Sequence, residues 1–247
     1  TIIMKIYTDM FNEDNTVEQM LIDAATKSGW QYVKSQEISR SADSVLVESW
    51  LLEALIRLNP ITRQQAEQVI YKLRAAITCG GNFDELVTAN ENTEPFGKDG
   101  EYIPIRFFND DPAEDYCVVT NQWEFPRSSV DGGKRLDLVY LINGIPVCVG
   151  EAKSPVRPQI TWADGAIDML HYEKSIPEMF VPNVLTFATE GKELQYAGIC
   201  TPVDKWGPWF KDENRQYGSI EAVKSNVMSF IQPHRLIDIY RYYSVFT

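Results

Sequence analysis

The sequence is short of the residues that most often announce chemistry. Its two histidines, His171 and His234, stand far apart without metal-ligand spacing, so no imidazole-built zinc site is legible. Its four cysteines, Cys79, Cys117, Cys148 and Cys200, form no C-x-x-C and no cluster. That excludes a thiolate knuckle and a disulfide framework, and it implies free thiols in a reducing compartment. No apolar run approaches the roughly 20 residues that a membrane-spanning helix needs. The opening stretch, TIIMKIYTDMFNEDN, lacks the basic, apolar and small-residue sections of a signal peptide. Repeats and low-complexity tracts are missing too. The expectation is a cytoplasmic protein with no membrane partner.

Basic charge is the other shortage. Lysine and arginine number 23 against 35 aspartates and glutamates, a net charge of -12. Contacts to phosphate need Lys and Arg, so the composition argues against strong autonomous nucleic-acid binding. It leaves room for a catalytic module that borrows its DNA affinity from other domains or subunits. Apolar residues are plentiful, at 44% with 12% aromatic over 247 residues, enough to bury the core of one large domain spanning 1–247.

The first third of the chain reads as helical. NTVEQMLIDAATKSGWQYV has Asn15 or Thr16 as cap, Glu18 and Gln19 in the first turn, and Gly29 as the stop before a strand. VESWLLEALIRLN and TRQQAEQVIYKLRAAI are two helices parted by Asn59-Pro60 and ended by Gly80-Gly81. NFDELVTAN reads as a short further helix, and together these form a helical insertion over about 47–90. From Tyr102 the texture turns to strands: YIPIRFF, DYCVVTNQWEF and then a hairpin. ITWADGAIDMLHYEKSI returns to helical spacing, followed by strand-like NVLTFATE and QYAGIC, and by an aromatic segment, KWGPWF. That segment could stack bases, though core packing is the commoner use of such residues. The last stretch, LIDIYRYYSVFT, stays apolar to its end, the pattern expected where another domain follows.

The hairpin carries the chemistry. In GKRLDLVYLINGIPVCVGEAKSP two apolar runs flank Asn143-Gly144, a strong two-residue turn signal. Runs this apolar suit strands buried on both faces, where ionised groups are rarely found unless paired or metal-bound. Yet Asp137 opens the first run, and Glu151 and Lys153 close the second, on one face with Ala152 turned away. Two carboxylates can hold a hard cation such as Mg²⁺, and a neighbouring lysine can act on the attacking water and offset charge on a phosphate. The register imposes a condition. A strict two-residue turn sets Asp137 opposite Gly150, whereas one bulge or a longer loop sets it opposite Glu151. The structural alternative, a strand-end aspartate beside a Glu151–Lys153 salt bridge, stays open on these residues alone.

RLDLVYLINGIPVCVGEAKSP closely resembles the nuclease motif of the motor-and-cleavage (R) subunit of type I restriction enzymes, a branch of the PD-(D/E)xK nucleases. NEDNTVEQMLIDAATKSGWQYV, VVTNQWEF and SIPEMFVPNVLTFATEG resemble the segments around that motif, and LIDIYRYYSVF resembles the exit toward the helicase motor. The resemblance implies an α/β, restriction-endonuclease-like core: a mixed β-sheet flanked by helices, with the motif region over about 102–200 and segment 201–247 leading to a motor domain. It implies Asp137, Glu151 and Lys153 as catalytic residues. Asp137, Glu151 and the Ala152 carbonyl would be ligands of Mg²⁺, with Mn²⁺ as a substitute, and Glu18 an additional acid. The implied partners are double-stranded DNA, methylation and specificity subunits, and a helicase motor in cis through which ATP would enter. Tyr172 matches the family's tyrosine on the following helix, but Asp168 stands where a glutamine is expected, and an ionised carboxylate cannot donate a hydrogen bond.

VDGGKRL invites a P-loop reading, but Ser128 stands at the first glycine position and Arg135 where Ser or Thr is needed. A loop feeding the strand fits better, with Lys134 and Arg135 placed to meet DNA phosphate. Two other readings remain open at this level: a non-catalytic, nuclease-like docking scaffold, and a different nuclease of the same fold.

Overall fold

The longest apolar stretch of the chain builds the centre of the sheet. The computed structural model describes residues 16–79, 93–126, 133–154 and 159–243. In chain order these form α1 (Thr16–Lys27), β1 (Gln31–Tyr32), α2 (Glu48–Leu58), α3 (Arg63–Cys79), β2 (Thr93–Glu94), β3 (Ile103–Pro104) and β4 (Cys117–Phe125). There follow β5 (Lys134–Ile142), β6 (Ile145–Ala152), α4 (Trp162–Ser175), α5 (Pro177–Phe180), β7 (Leu185–Thr189), β8 (Leu194–Gly198), β9 (Gly207–Pro208), α6 (Ile220–Phe230) and α7 (Pro233–Asp238). Asn15 as a cap, the Gly80-Gly81 stop and the expected helix over 82–90 lie outside the described residues.

Seven strands form one sheet in the order β1-β4-β5-β6-β7-β8-β9. The β1–β4 and β6–β7 pairs are parallel and the others antiparallel. This is the mixed sheet flanked by helices of a restriction-endonuclease-like α/β fold. Helices α1 and α6 cover one face, where the Phe187 ring meets Phe230 of α6 and the Trp30 ring meets Tyr140. Helix α4 covers the other face and comes close enough that a Cβ on Gly165 would lie 3.0 Å from that of Ala188. Phe187 and Ala188 are consecutive, and strand alternation sends them to the two helical layers. Both layers are apolar, which is why β5 and β6 read as continuous apolar runs. Among the described residues no helix is long and apolar enough to cross a membrane.

Helices α2 and α3 form as their periodicity predicts, and the start of α2 holds the tip of the hairpin. Asn143 and Gly144 both have positive φ, 51° and 83°, the condition of the tight hairpin turn. The Val47 N–H donates to the Gly144 carbonyl at 2.9 Å, and a Cβ at 144 would come within 2.4 Å of the Val47 oxygen. Asn143 Nδ2 donates to the Phe107 carbonyl and to Asp115, and its Oδ1 accepts from Tyr116 N–H. The turn is therefore built into the core rather than left at the surface.

YIPIRFF departs from expectation. Only Ile103–Pro104 is a strand, paired with β2 in a separate two-stranded ribbon. Pro104 cannot donate to a ladder, and side chains take over the backbone that follows. Asn59 Oδ1 accepts from Arg106 N–H at 2.7 Å while its Nδ2 donates to the Arg106 carbonyl at 2.9 Å, much as a neighbouring strand would. The aromatic segment is used for packing. Trp206 is buried, and Trp209 meets Tyr196 edge to face and Phe230 at a tilt. All four cysteines are free.

Two measurements check this packing. Gly150 has no room for a side chain, since a Cβ would lie 2.3 Å from the Phe187 ring. Gly150→Ala is expected to cost about 1–3 kcal/mol of unfolding free energy in urea titration. Glu173, buried in α4, accepts from Cys200 N–H through Oε2 and leaves Oε1 without a partner. Burial pushes its carboxyl up to about 7 from 4.5. The folded chain thus holds this proton more tightly than the unfolded one. Its contribution to stability is full below about 4.5 and is lost as pH rises through about 7. Glu173→Gln is expected to lessen the fall in urea midpoint between those two pH values.

Candidate active site

Because β5 and β6 run antiparallel, the start of one and the end of the other meet at the same edge of the sheet. Their register decides which residues meet there. Next to the turn Ile142 pairs with Ile145 and Leu141 with Pro146; beyond it Tyr140 pairs with Cys148 and Leu138 with Gly150. Val147 is the extra residue of a β-bulge. Its neighbour Pro146 has no N–H to give the ladder, so the ladder loses little by breaking there. Of the ways that would bring the two carboxylates together, the structure has the bulge, and continuing the outer register places Asp137 opposite Glu151. Ala152 N–H, between Glu151 and Lys153, donates to Asp137 Oδ2 at 3.0 Å.

Glu151 and Lys153 lie on one face, as alternation predicts. Lys153 Nζ donates to Glu151 Oε1 at 2.7 Å and to Asp168 Oδ2, one turn into α4 from Gly165, at 2.5 Å. Helix α4 is aimed at this point by its start and its packing. Thr161 and Asp164 form a reciprocal capping box. A Cβ on Gly165 would sit 3.3 Å from Glu151 Cγ and 3.5 Å from Lys153 Cγ. Gly165, Asp168 and Tyr172 share this face of the helix by their spacing.

Glu18, in the first turn of α1, is held from β4. Asn121 Nδ2 donates to its Oε1 at 2.6 Å and Gln122 Nε2 to its Oε2 at 2.7 Å. Tyr32 hydroxyl in turn donates to Asn121 Oδ1. Consecutive strand residues normally point to opposite faces. Gln122 escapes that rule with a φ of 54°, a left-handed conformation that costs a non-glycine residue of the order of 1 kcal/mol or more. This residue stands across from Asp137, between the Asn121–Leu138 and Trp123–Leu136 pairs.

The electrostatics are lopsided. Burial, then the charge of Asp137, pushes the Glu151 carboxyl up to about 8, and Lys153 only partly offsets this. Burial likewise raises Asp137, with Glu18 adding to the shift and the Ala152 hydrogen bond opposing it. For Lys153 burial acts downward, but Glu151 and Asp168 together prevail and hold the ammonium above its usual range. Burial and the same carboxylates raise the Tyr172 phenol, so its hydroxyl keeps its proton. Glu151 is 2% exposed, and its Oε2 is buried without a partner. Among the described residues no group of three or more His, Cys, Asp and Glu side chains is placed to hold a metal ion. Neither Glu18 nor Asp168 is therefore gathered with Asp137 and Glu151 into one ligand set. The donors here whose chemistry suits a hard cation are two carboxylates and a strand carbonyl, one Glu151 oxygen having no hydrogen-bond partner in the protein.

Lys134 and Arg135 open β5 opposite Phe125 and Glu124. They line a cavity of about 500 Å³ together with Ser35, Gln36, Arg40 and Glu124. Arg40 itself is committed to structure: it lies 3.7 Å over the Trp123 ring and donates to the carbonyls of Ala42, Ser44 and Glu124. His171 is exposed on α4. Sequence reasoning passed over Asn121, Gln122 and Gly165. The polar pair interrupting CVVTNQWEF was the available signal for the first two; nothing in sequence marks Gly165.

An ionised glutamate with a buried, unpartnered oxygen destabilises the fold that carries it. Glu151→Gln, which keeps the shape and drops the charge, is expected to raise the urea midpoint of the metal-free protein at pH 8. A glutamate retained for its salt bridge would instead lower it.

Comparison with known sequences identifies the family. The family described as Type I restriction enzyme R protein N terminus matches residues 10–199. The chain is 24% identical over 262 residues to the type I restriction enzyme HindI endonuclease subunit of Haemophilus influenzae, covering 96% of this chain and 24% of that protein. It is 25% identical over 223 residues to a Methanocaldococcus jannaschii protein named for the type I restriction enzyme MjaIXP endonuclease subunit, covering 83% of this chain and 21% of that protein. The chain thus spans about a quarter of the length of these relatives. With residues 10–199 matched and a mixed sheet flanked by helices, the chain belongs to the family of type I restriction enzyme R protein N termini.

Proposed function

We propose that this chain is the cation-dependent, DNA-cleaving module of a type I restriction R subunit. The observation that carries the reading is the bulge-set meeting of Asp137, Glu151 and Lys153, with one Glu151 oxygen buried and unpartnered. Asp137, Glu151 and the Ala152 carbonyl would hold Mg²⁺, or Mn²⁺ in its place. A hard divalent cation supplies Lewis acidity toward the phosphate and a water acidic enough to attack near neutral pH.

The chain's own residues do the rest. Asp137 and Glu151, fixed by opposed strand ends, orient the site without rearrangement. The Lys153 ammonium aligns the attacking water and offsets charge gathering on the phosphate oxygens. Tyr172, protonated beside the carboxylates, is a hydrogen-bond donor toward the backbone of a bound strand. Lys134 and Arg135 meet flanking phosphates at the mouth of the neighbouring cavity. Glu18, held by amides, adds negative charge that Asp137 feels and so favours a cation there.

The net charge of -12 fits a module brought to double-stranded DNA by a larger assembly. That assembly would comprise a helicase motor in cis, through which ATP acts, and methylation and specificity subunits in trans. Cleavage would be indifferent to sequence at the bond, because no base-reading motif is present. The strongest support for this setting is the family match together with relatives named as endonuclease subunits.

Calorimetric titration of Mg²⁺ and Mn²⁺ into the chain tests the site without DNA affinity. Binding is expected in the wild type and is expected to vanish in Asp137→Ala and in Glu151→Ala. In the assembled enzyme, Lys153→Met is expected to lower cleavage at least ~100-fold, measured where urea titration shows the variant chain still folded. Cleavage that survives Lys153→Met would assign the hairpin to a docking scaffold instead.

A further inference from the structure

We propose that Asp168 is a positioning residue that holds the Lys153 ammonium in its working place when Glu151 is engaged by a cation. The inference deepens the nuclease reading and rests on it. Lysine is a compact charge on a four-carbon stem with much rotamer freedom, yet Lys153 is only 18% exposed and its Nζ is fixed by two acceptors. One of them, Glu151 Oε1 at 2.7 Å, belongs to the very carboxylate that would turn to the cation. An ammonium and a divalent ion that share a carboxylate in a poorly solvated site repel strongly. Left with Glu151 alone, Lys153 would swing toward solvent whenever the cation bound. Asp168, at 2.5 Å, is the contact that does not depend on Glu151.

Its place on the helix suits that task. Gly165 lets α4 approach both Glu151 and Lys153, and Asp168 follows three residues later on the same face. Its side chain is 42% exposed, so it is no part of the core, and an ordinary surface ion pair contributes only about 0–1 kcal/mol to stability. The departure from glutamine at this position thus becomes a lysine anchor.

Two readouts test the assignment. In the assembled enzyme, Asp168→Ala is expected to lower kcat about 10- to 100-fold at unchanged KM for DNA, the scale of a misplaced reacting group. Asp168→Asn, which keeps an acceptor oxygen, is expected to recover most of that loss. In the chain saturated with Mg²⁺, the Lys153 Nζ ammonium signal of nitrogen-15 lysine, assigned by its disappearance in Lys153→Met, is expected to collapse in Asp168→Ala and persist in Asp168→Asn. Wild-type kcat in Asp168→Ala, a KM effect at unchanged kcat, or an unmoved Lys153 signal would overturn the proposal. The two readings fail differently. Undiminished cleavage in Lys153→Met sinks the nuclease site and this proposal with it. Loss of cleavage there, beside a fully active Asp168→Ala, sinks the positioning role alone.

Discussion

One residue too many in one strand decides the shape of this protein's site. With side chains alternating along a strand, a shift of one residue turns every group to the other face. Without the bulge at Val147, Asp137 would stand across from Gly150 and point away from Glu151. With it, two carboxylates share an edge and a face. The bulge is held between two fixed points. The Asn143-Gly144 turn is locked into the core by Asn143 and Val47 on one side. The tight contact of Gly150 with the Phe187 ring holds the register on the other.

The charge balance follows from that geometry. Glu151 and Asp168 hold the Lys153 ammonium between them, while Glu18 adds to the negative charge felt by Asp137. Glu18 is bound by neutral amides, which fix its position without cancelling its charge. Raised carboxyl groups at Asp137 and Glu151 record the free energy this arrangement costs the metal-free fold. Sites that keep destabilising groups together commonly do so for function. The left-handed Gln122 belongs to the same pattern: backbone strain spent to bring two neighbouring amides onto one carboxylate.

Much of this was legible in the residues. The hairpin, its turn, the shared face of Glu151 and Lys153, and the helices α1 to α4 follow from periodicity and turn chemistry. YIPIRFF was misread because local propensity is blind to Asn59, which satisfies the backbone of Arg106 from a distant helix. Asp168 stood out only as a departure from a familiar pattern; its partner became visible when α4 was laid across the end of β6.

Sequence by itself determined the chemistry available: two acids and a lysine at the ends of buried strands, a turn that closes the hairpin, and an excess of acidic over basic charge. These are local properties, set by side-chain type and by spacing along one or two strands. Tertiary structure decided which of the two possible registers exists, what clamps Glu18, and what anchors Lys153. Those depend on contacts that local spacing does not set, from Lys153 with Asp168, 15 residues on, to Glu18 with Asn121, 103 residues away, where packing and backbone satisfaction across the core outweigh local preference.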